Sequence, residues 1–184
     1  MLLETLGVPF TAPAVTLFLL AIVAPVGAID ILYFHIYRFR LYDQPAARTE
    51  VATHILRAAV IGTAALLLVA TPFTPFVAAT LGILLALDFL NNVVDVWLEP
   101  EARRSLGGLP PLESAIHIFG ATAAGAITAT YLLLWALGES PAAAPLPSWL
   151  SLQGYMLGIG SFMLATVKIG LLVRSMQRQR AAHV

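Results

Sequence analysis

Five long apolar runs dominate the 184-residue chain and constrain its fold more than any other feature. About 20 helical residues cross the roughly 30 Å hydrocarbon core of a bilayer, and each run reaches that length. The runs cover approximately residues 14–37, 51–71, 76–98, 112–137 and 149–173. They are rich in Leu and Ala and show no period-2 alternation, so they predict helices and not strands. We therefore expect an all-α polytopic membrane protein in which residues 1–184 form a single transmembrane domain.

The composition favours the same fold class. Hydrophobic residues make up 59% of the chain and charged residues 11%, which excludes an ordinary soluble domain. The formal net charge is zero, so no overall field favours a nucleic-acid partner. The chain has no cysteine, which excludes disulfides, thiolate metal sites and thiol nucleophiles.

Basic residues indicate the orientation, because Lys and Arg concentrate in cytoplasmic segments. They follow span 1 and span 3 and occupy the C-terminal tail: Arg38, Arg40, Arg48, Arg103, Arg104, Arg174, Arg178 and Arg180. We expect an integral membrane protein with its N-terminus outside and its C-terminus in the cytoplasm, in the inner membrane if the source is bacterial. The first ten residues lack the positive segment of a signal peptide, so span 1 is expected to be retained. Four arginines are also candidates to bind lipid phosphate: Arg38, Arg40, Arg103 and Arg104.

Polar residues inside the spans are costly in hydrocarbon, so each is a candidate functional residue. Spans 1 to 4 all carry them: Asp30 and His35; Glu50, His54 and Arg57; Asp88, Asn91, Asn92 and Asp95; Glu113 and His117. At 100° per residue, most of the polar residues on each of spans 2, 3 and 4 share one face. The predicted orientation puts them at a similar depth in the inner leaflet. We therefore expect four of the five helices to form a bundle around an inner-leaflet polar site that binds metal.

The chemistry of these groups favours divalent metal ions. Carboxylates and neutral imidazoles without sulfur suit iron or manganese ahead of zinc. The candidate ligands are Asp30, Glu50, His54, Asp88, Asp95, Glu113 and His117, with His35 as a further candidate. We expect two divalent ions, because two would balance the charge of the five carboxylates and Arg57, although one ion with bound protons, or protons alone, would also do so. Haem is not expected, because same-face carboxylates do not usually flank b-type haem histidines.

The arrangement resembles the ligand plan of ferritin-like di-iron carboxylate proteins, in which two helices each supply a carboxylate and two each supply a Glu and His pair. The resemblance implies these ligands in chain order: Asp30 as the first carboxylate, the pair Glu50 and His54, Asp88 or Asp95 as the second carboxylate, and the pair Glu113 and His117. The pairs here are Glu-x-x-x-His, whereas the family has Glu-x-x-His. The similarity therefore concerns a ligand plan spread over four spans and does not imply membership.

Further polar residues are candidates to orient ligands or substrate: Asn91, Asn92, Arg57, Tyr33 and Tyr37. Arg57 has an alternative role, which is to pair with Asp88 or Glu113. Asn91 and Asn92 also have an alternative role, which is to join neighbouring helices by hydrogen bonds from their amide groups.

His35 presents a geometric problem. A five-residue step turns it 140° around an α-helix from Asp30, so the two side chains would not face one centre. A kink at Pro25 or local unwinding of the helix would be needed to bring them together.

Small residues recur in span 5 as Gly154-x-x-x-Gly158-x-Gly160. Such residues let helix backbones approach closely, so we expect tight packing of this span. No strand precedes the glycines, so they do not indicate a phosphate-binding loop.

Two classes of function fit these expectations best. The first is a membrane-embedded metalloenzyme that acts on a lipid, quinone or other hydrophobic substrate from the cytoplasmic side, by oxidation ahead of metal-assisted hydrolysis. The alternative is a metal-ion or proton transporter that uses the same acids and histidines. A transporter needs two openings, and no polar path continues through the outer halves of spans 2, 3 and 4. A structural subunit with a polar core is a third hypothesis, and a homo-oligomer remains open.

Overall fold

The computed structural model describes residues 2–139 and 145–182 of the chain, and within these residues it contains helices and no strands. A short helix, α1 (Leu2–Thr5), precedes five long helices. These are α2 (Ala12–Ile29), α3 (Arg48–Ala70), α4 (Pro75–Ala102), α5 (Pro111–Ala136) and α6 (Ser148–Ala181). A π-helical segment, Asp30–Arg38, continues α2. All five long helices are long and apolar enough to cross a membrane, which confirms the prediction of five such helices.

Prolines and threonine caps define where several helices begin. Thr11 precedes α2 and Thr74 precedes α4, and each side-chain oxygen accepts a hydrogen bond from the backbone N–H three residues later. This capping satisfies a donor that the first helical turn leaves free. α4 and α5 both begin at a proline, Pro75 and Pro111, whose missing N–H costs nothing at that position.

The five long helices form a closed ring. α3 packs between α4 and α6, α5 packs between α4 and α2, and α2 completes the ring by packing on α6. The contact between α3 and α6 is tight at the predicted glycines. A Cβ atom on Gly154 would overlap Val69, and one on Gly158 would lie 2.6 Å from Leu66. These two glycines therefore allow the close approach that the sequence predicts.

The ring has an apolar half and a polar half. A cluster of buried apolar side chains fills the half where α3 ends and α4 begins, including Leu17, Leu68, Leu81, Tyr131 and Leu150. The buried acids and histidines lie at the other end of the same helices. The polar half is completed by the π-helical segment and by the turns that lead into α3 and α5.

Candidate metal centre

The π-helical segment resolves the geometric problem of His35. A π-helix bonds residue i to residue i+5, so residues five apart are brought close to the same side. Asp30 and His35 are five apart in this segment, and Asp30 Oδ2 lies 3.5 Å from His35 Nε2. The local unwinding that the sequence required is therefore present. Single π turns inside α-helices occur frequently at functional sites.

Four side chains converge where this segment meets the first turns of α5: Asp30, His35, Glu113 and His117. We call them the tetrad. One ligand atom from each lies within 4.8 Å of the other three. Glu113 Oε1 is 3.2 Å from His35 Nε2, and Asp30 Oδ2 is 3.2 Å from His117 Nε2. A set of two imidazoles and two carboxylates this close together could hold a metal ion.

Glu99 orients the imidazole of His117. The carboxylate oxygen Oε1 of Glu99 lies 2.5 Å from His117 Nδ1, on the ring edge away from Asp30. A carboxylate only accepts, so Nδ1–H donates and Nε2 of a neutral imidazole keeps a lone pair that points into the tetrad. Histidine ligands of metals almost always donate their other ring N–H in this way.

His54 and Asp95 perform the same task for His35. His54 Nε2 lies 2.7 Å from Asp95 Oδ2 and donates to that carboxylate. His54 Nδ1 is then an acceptor, and it lies 2.8 Å from His35 Nδ1, which donates to it. Thr53 Oγ1 lies 2.6 Å from Asp95 Oδ1 and also donates to this carboxylate. His35 Nε2 is left with a lone pair directed at Asp30 and Glu113.

Several buried carboxylate oxygens near the tetrad have no hydrogen-bond partner among the described residues. They are Oδ1 of Asp30, Oε2 of Glu113 and Oε1 of Glu50. Leaving a buried acceptor unsatisfied is costly, so each such atom requires an explanation. A cation bound between these oxygens would supply one.

Arg103 differs from the sequence expectation. It was expected at the surface as a ligand of lipid phosphate, but its side chain is fully buried. Its guanidinium lies 2.7 Å from Glu50 Oε2 and 2.5 Å from Glu113 Oε1, and it donates to both. It also lies 3.4 Å from His35 Nε2. Arg103 is buried because the turn between α4 and α5 folds back over the polar half. The next residue, Arg104, stays exposed.

Four of the predicted metal ligands lie outside the tetrad: Asp88 and Asp95, and the pair Glu50 and His54 that is described below. Asp88 Oδ1 lies 3.2 Å from Arg57 Nε, which is the pairing that the sequence offered for Arg57. Arg57 also donates to Asn92 Oδ1 at 2.5 Å. Asp95 is engaged by His54, as described above. Both carboxylates are therefore held by protein partners.

The remaining polar candidates occupy different places. Asn91 donates to the backbone oxygen of Thr53 at 3.1 Å and so joins α4 to α3. Tyr33 and Tyr37 are exposed and stack on each other, so the structure does not bring them to the tetrad. Arg38 and Arg40 are also exposed, and their contact with lipid phosphate stays a prediction.

A second group of potential ligands overlaps the tetrad. Glu50 and His54, the first Glu and His pair of the resemblance, can present atoms within 4.8 Å of His35. This group shares His35 with the tetrad, so one ring would have to serve both groups. Two full sites would require His35 to bind through both of its nitrogens and to give up its bond to His54.

Sequence reasoning missed three residues of the polar half. Glu99 continues the stripe of Asp88, Asn92 and Asp95 along one face of α4, and this spacing was a usable signal. Lys168 lies near the end of span 5, where a long basic side chain usually reaches the interface. Its side chain is instead 3% exposed, and its ammonium interacts electrostatically with Asp95, Asp30 and Glu50. Nothing in the sequence singled out Thr53.

A cavity of about 610 Å³ lies beside the tetrad inside the ring of helices. All five long helices contribute to its walls. Its polar end includes Asp30, His54, Asp95, Glu99 and His117, and the rest of its lining is mainly apolar. The volume lies within the range of about 300–1,000 Å³ that is typical of ligand pockets.

No protein family, curated protein or solved structure matches the chain. A functional assignment therefore rests on the geometry of the polar half. Over residues 2–139 and 145–182 the regular structure is all helical, with five helices long and apolar enough to cross a membrane and with buried acid and histidine groups that could hold a metal ion.

Proposed function

We propose that this protein is a membrane-embedded metalloenzyme whose tetrad binds a divalent ion and whose cavity admits a hydrophobic substrate such as a lipid or a quinone. The observation that carries the proposal is that each tetrad histidine donates its Nδ1–H to a residue outside the tetrad. His117 donates to Glu99, and His35 donates to His54, so the Nε2 atoms of both rings face the two tetrad carboxylates. Such supporting hydrogen bonds are a regular feature of metal sites.

The charge of the polar half supports the binding of a cation. Six carboxylates are buried there, on Asp30, Glu50, Asp88, Asp95, Glu99 and Glu113. Arg57, Arg103 and Lys168 supply the neighbouring positive charges. With neutral imidazoles, three negative charges are left uncompensated, which is unfavourable away from water. One divalent ion removes most of this excess.

One ion per chain fits this charge better than the two expected from the sequence. The charge balance drawn from the sequence counted five carboxylates and Arg57. The structure adds one buried carboxylate, Glu99, and two buried cations, Arg103 and Lys168, so less positive charge is required from bound ions. A second ion at His35, Glu50 and His54 would also break the Nδ1 contact that orients His35. Two oxygen and two nitrogen ligands suit iron or manganese ahead of zinc.

The bound ion would supply either redox chemistry or Lewis acidity to a substrate in the cavity. The residues of this chain would hold the ion, orient the two imidazoles and keep bulk water out of the apolar part of the cavity. Oxidation is the favoured reaction class, with metal-assisted hydrolysis second. The substrate would reach the centre from the inner leaflet, in the orientation that the loop arginines predict.

Transport of metal ions or protons is a weaker proposal. The apolar half of the ring is filled by buried side chains such as Leu81, Tyr131 and Leu150. Among the described residues, the buried polar residues of this half are Thr11 and Thr16, and no buried Asp, Glu, His, Lys or Arg lies there. A transporter alternates access between the two sides of the membrane, whereas the buried polar residues here lie at one end of the helices.

Elemental analysis of the purified protein tests the proposal. We expect about one iron or manganese ion per chain, lost in His35→Ala and in His117→Ala. His183→Ala, which removes the fourth histidine of the chain, is the matched control and should keep the ion. A folded protein that binds neither metal after incubation with Fe(II) or Mn(II) would contradict the proposal.

A further inference from the structure

The cavity beside the tetrad has the lining of a site for a hydrocarbon chain. Away from its polar end, its walls are formed by apolar side chains from α2, α3, α5 and α6, among them Leu20, Ile61, Ile127, Leu157 and Leu164. Two of these, Leu20 and Ile127, also belong to the buried apolar cluster that closes the far end of the ring. A ligand there would meet hydrocarbon along most of its length.

The cavity opens sideways between the π-helical segment and α6. Leu32, Met163 and Val167 line the cavity and are also 54%, 65% and 51% exposed. Leu32 belongs to the first span and the other two to the last span, so these side chains form a rim in a part of the protein that faces lipid tails. A ligand can therefore enter from the bilayer without crossing water.

The polar end of the cavity is acidic. Asp30, Asp95 and Glu99 line it, and among its described lining residues Arg57 is the one arginine or lysine. Arg57 is already engaged by Asp88 and by Asn92. By the charge count given above, the polar half keeps one net negative charge even with a divalent ion bound and Lys168 charged. An anionic head group is therefore disfavoured, whereas a group that donates hydrogen bonds would find carboxylate acceptors.

We propose that the cavity binds a single-chain lipid whose polar end is a neutral or cationic hydrogen-bond donor, an alcohol or an amine, and that this lipid enters between the π-helical segment and α6. The chain occupies the apolar part and the polar end lies beside the tetrad. The inference deepens the proposed function by naming the substrate class. Binding itself depends only on the cavity, so it can be measured separately from metal content and turnover.

Photo-crosslinking in vesicles tests this proposal. The probe is a long-chain primary alcohol that carries a diazirine midway along its chain, and the labelled positions are mapped by mass spectrometry. We expect labelling of residues 20–32 of the first span and 156–167 of α6. The alcohol and the amine of equal chain length should compete at least about ten-fold better than the fatty acid, because burying an unpaired carboxylate beside other carboxylates is costly. Equal competition by the fatty acid would overturn the proposed head-group chemistry.

Two glycines of α6 provide matched variants. A Cβ atom on Gly160 or on Gly170 would meet no atom within 4 Å, so both positions accept a larger side chain. Gly160 lines the cavity, whereas Gly170 does not. Gly160→Phe should therefore abolish labelling by the alcohol probe, and Gly170→Phe should preserve it. Both variants should retain wild-type metal content, because neither position touches the tetrad.

The outcomes separate the two proposals. Unchanged labelling of Gly160→Phe, or labelling of wild type confined to lipid-facing residues outside the cavity, would overturn the lipid-binding inference even if metal is bound. Specific labelling of a protein that binds no metal would support this inference and contradict the proposed function.

Discussion

His35 and His54 face each other through their Nδ1 atoms, 2.8 Å apart and buried between the first span and α3. Since His54 donates its other N–H to Asp95, this contact makes Nδ1 the protonated nitrogen of a neutral His35. The other nitrogen, Nε2, faces Asp30 and Glu113 and also lies 3.4 Å from the Arg103 guanidinium. If the ion binds in the tetrad as proposed, His54 is a positioning residue; the ligand role that the sequence predicts for it belongs to the group of His35, Glu50 and His54.

A first prediction follows for these two histidines. His54→Ala should weaken metal binding by about 10–100-fold, because the ring of His35 loses its orienting partner. His35→Ala should abolish binding, since it removes a ligand. Metal titrations of both variants measure the difference. If His54→Ala abolishes binding while His117→Ala leaves it intact, the ion is bound instead at His35, Glu50 and His54.

A second prediction concerns Glu99. Glu99→Ala should weaken metal binding by about 10–100-fold, because His117 Nδ1 loses its acceptor. Glu99→Gln should have a smaller effect, since the amide oxygen can still accept that hydrogen bond. Glu101→Ala is the matched control, because Glu101 lies two residues away and pairs with exposed Arg104. Equal losses in the Ala and Gln variants would show that charge, and not orientation, is the role of Glu99.

A third prediction separates two neighbouring arginines. Arg103→Ala should lower the free energy of unfolding by about 3–5 kcal/mol, because it leaves the carboxylates of Glu50 and Glu113 buried without their partner. Arg104→Ala should have little effect, since its pair with Glu101 is exposed. Unfolding in detergent, followed by circular dichroism, measures both. Similar stabilities of the two variants would contradict the buried position of Arg103.

A fourth prediction concerns the packing of α6 on α3. Gly154→Ala should destabilise the protein by about 1–3 kcal/mol, because the added methyl group overlaps Val69 and overpacks the contact. Gly170→Ala is the control on the same helix, where a Cβ atom meets nothing within 4 Å. Thermal unfolding of the two variants provides the comparison, and equal melting temperatures would show that the helices are not closely packed at Gly154.

The spans could be predicted from the sequence because the hydrocarbon thickness sets a length that local composition reveals. The grouping of Asp30 with Glu113 and His117 was also predictable, since all three belong to apolar spans and lie at similar calculated depths. Such reasoning assumes regular α-helices. It therefore could not place His35, whose position depends on a π-helical segment that replaces the expected geometry from Asp30 onward.

Arg103 and Lys168 show the other limit. A basic residue at the end of a span is usually a surface anchor, and single-sequence reasoning has no means to recognise an exception. Arg103 is buried because the turn after α4 folds inward, and Lys168 is buried because α6 packs closely on α3. Both facts depend on contacts between distant segments. These two buried cations add positive charge to the polar half, and the number of ions needed to balance its carboxylates is therefore smaller than the sequence predicts.

X-ray absorption spectroscopy of the protein loaded with Fe(II) tests the central claim most directly. The tetrad predicts an ion with two imidazole nitrogens, from His35 and His117, and with oxygen atoms as its other ligands. In His117→Ala one imidazole should disappear from any residual bound ion. A wild-type spectrum without imidazole scattering, or one with three imidazoles, would contradict the assignment of the tetrad as the metal centre.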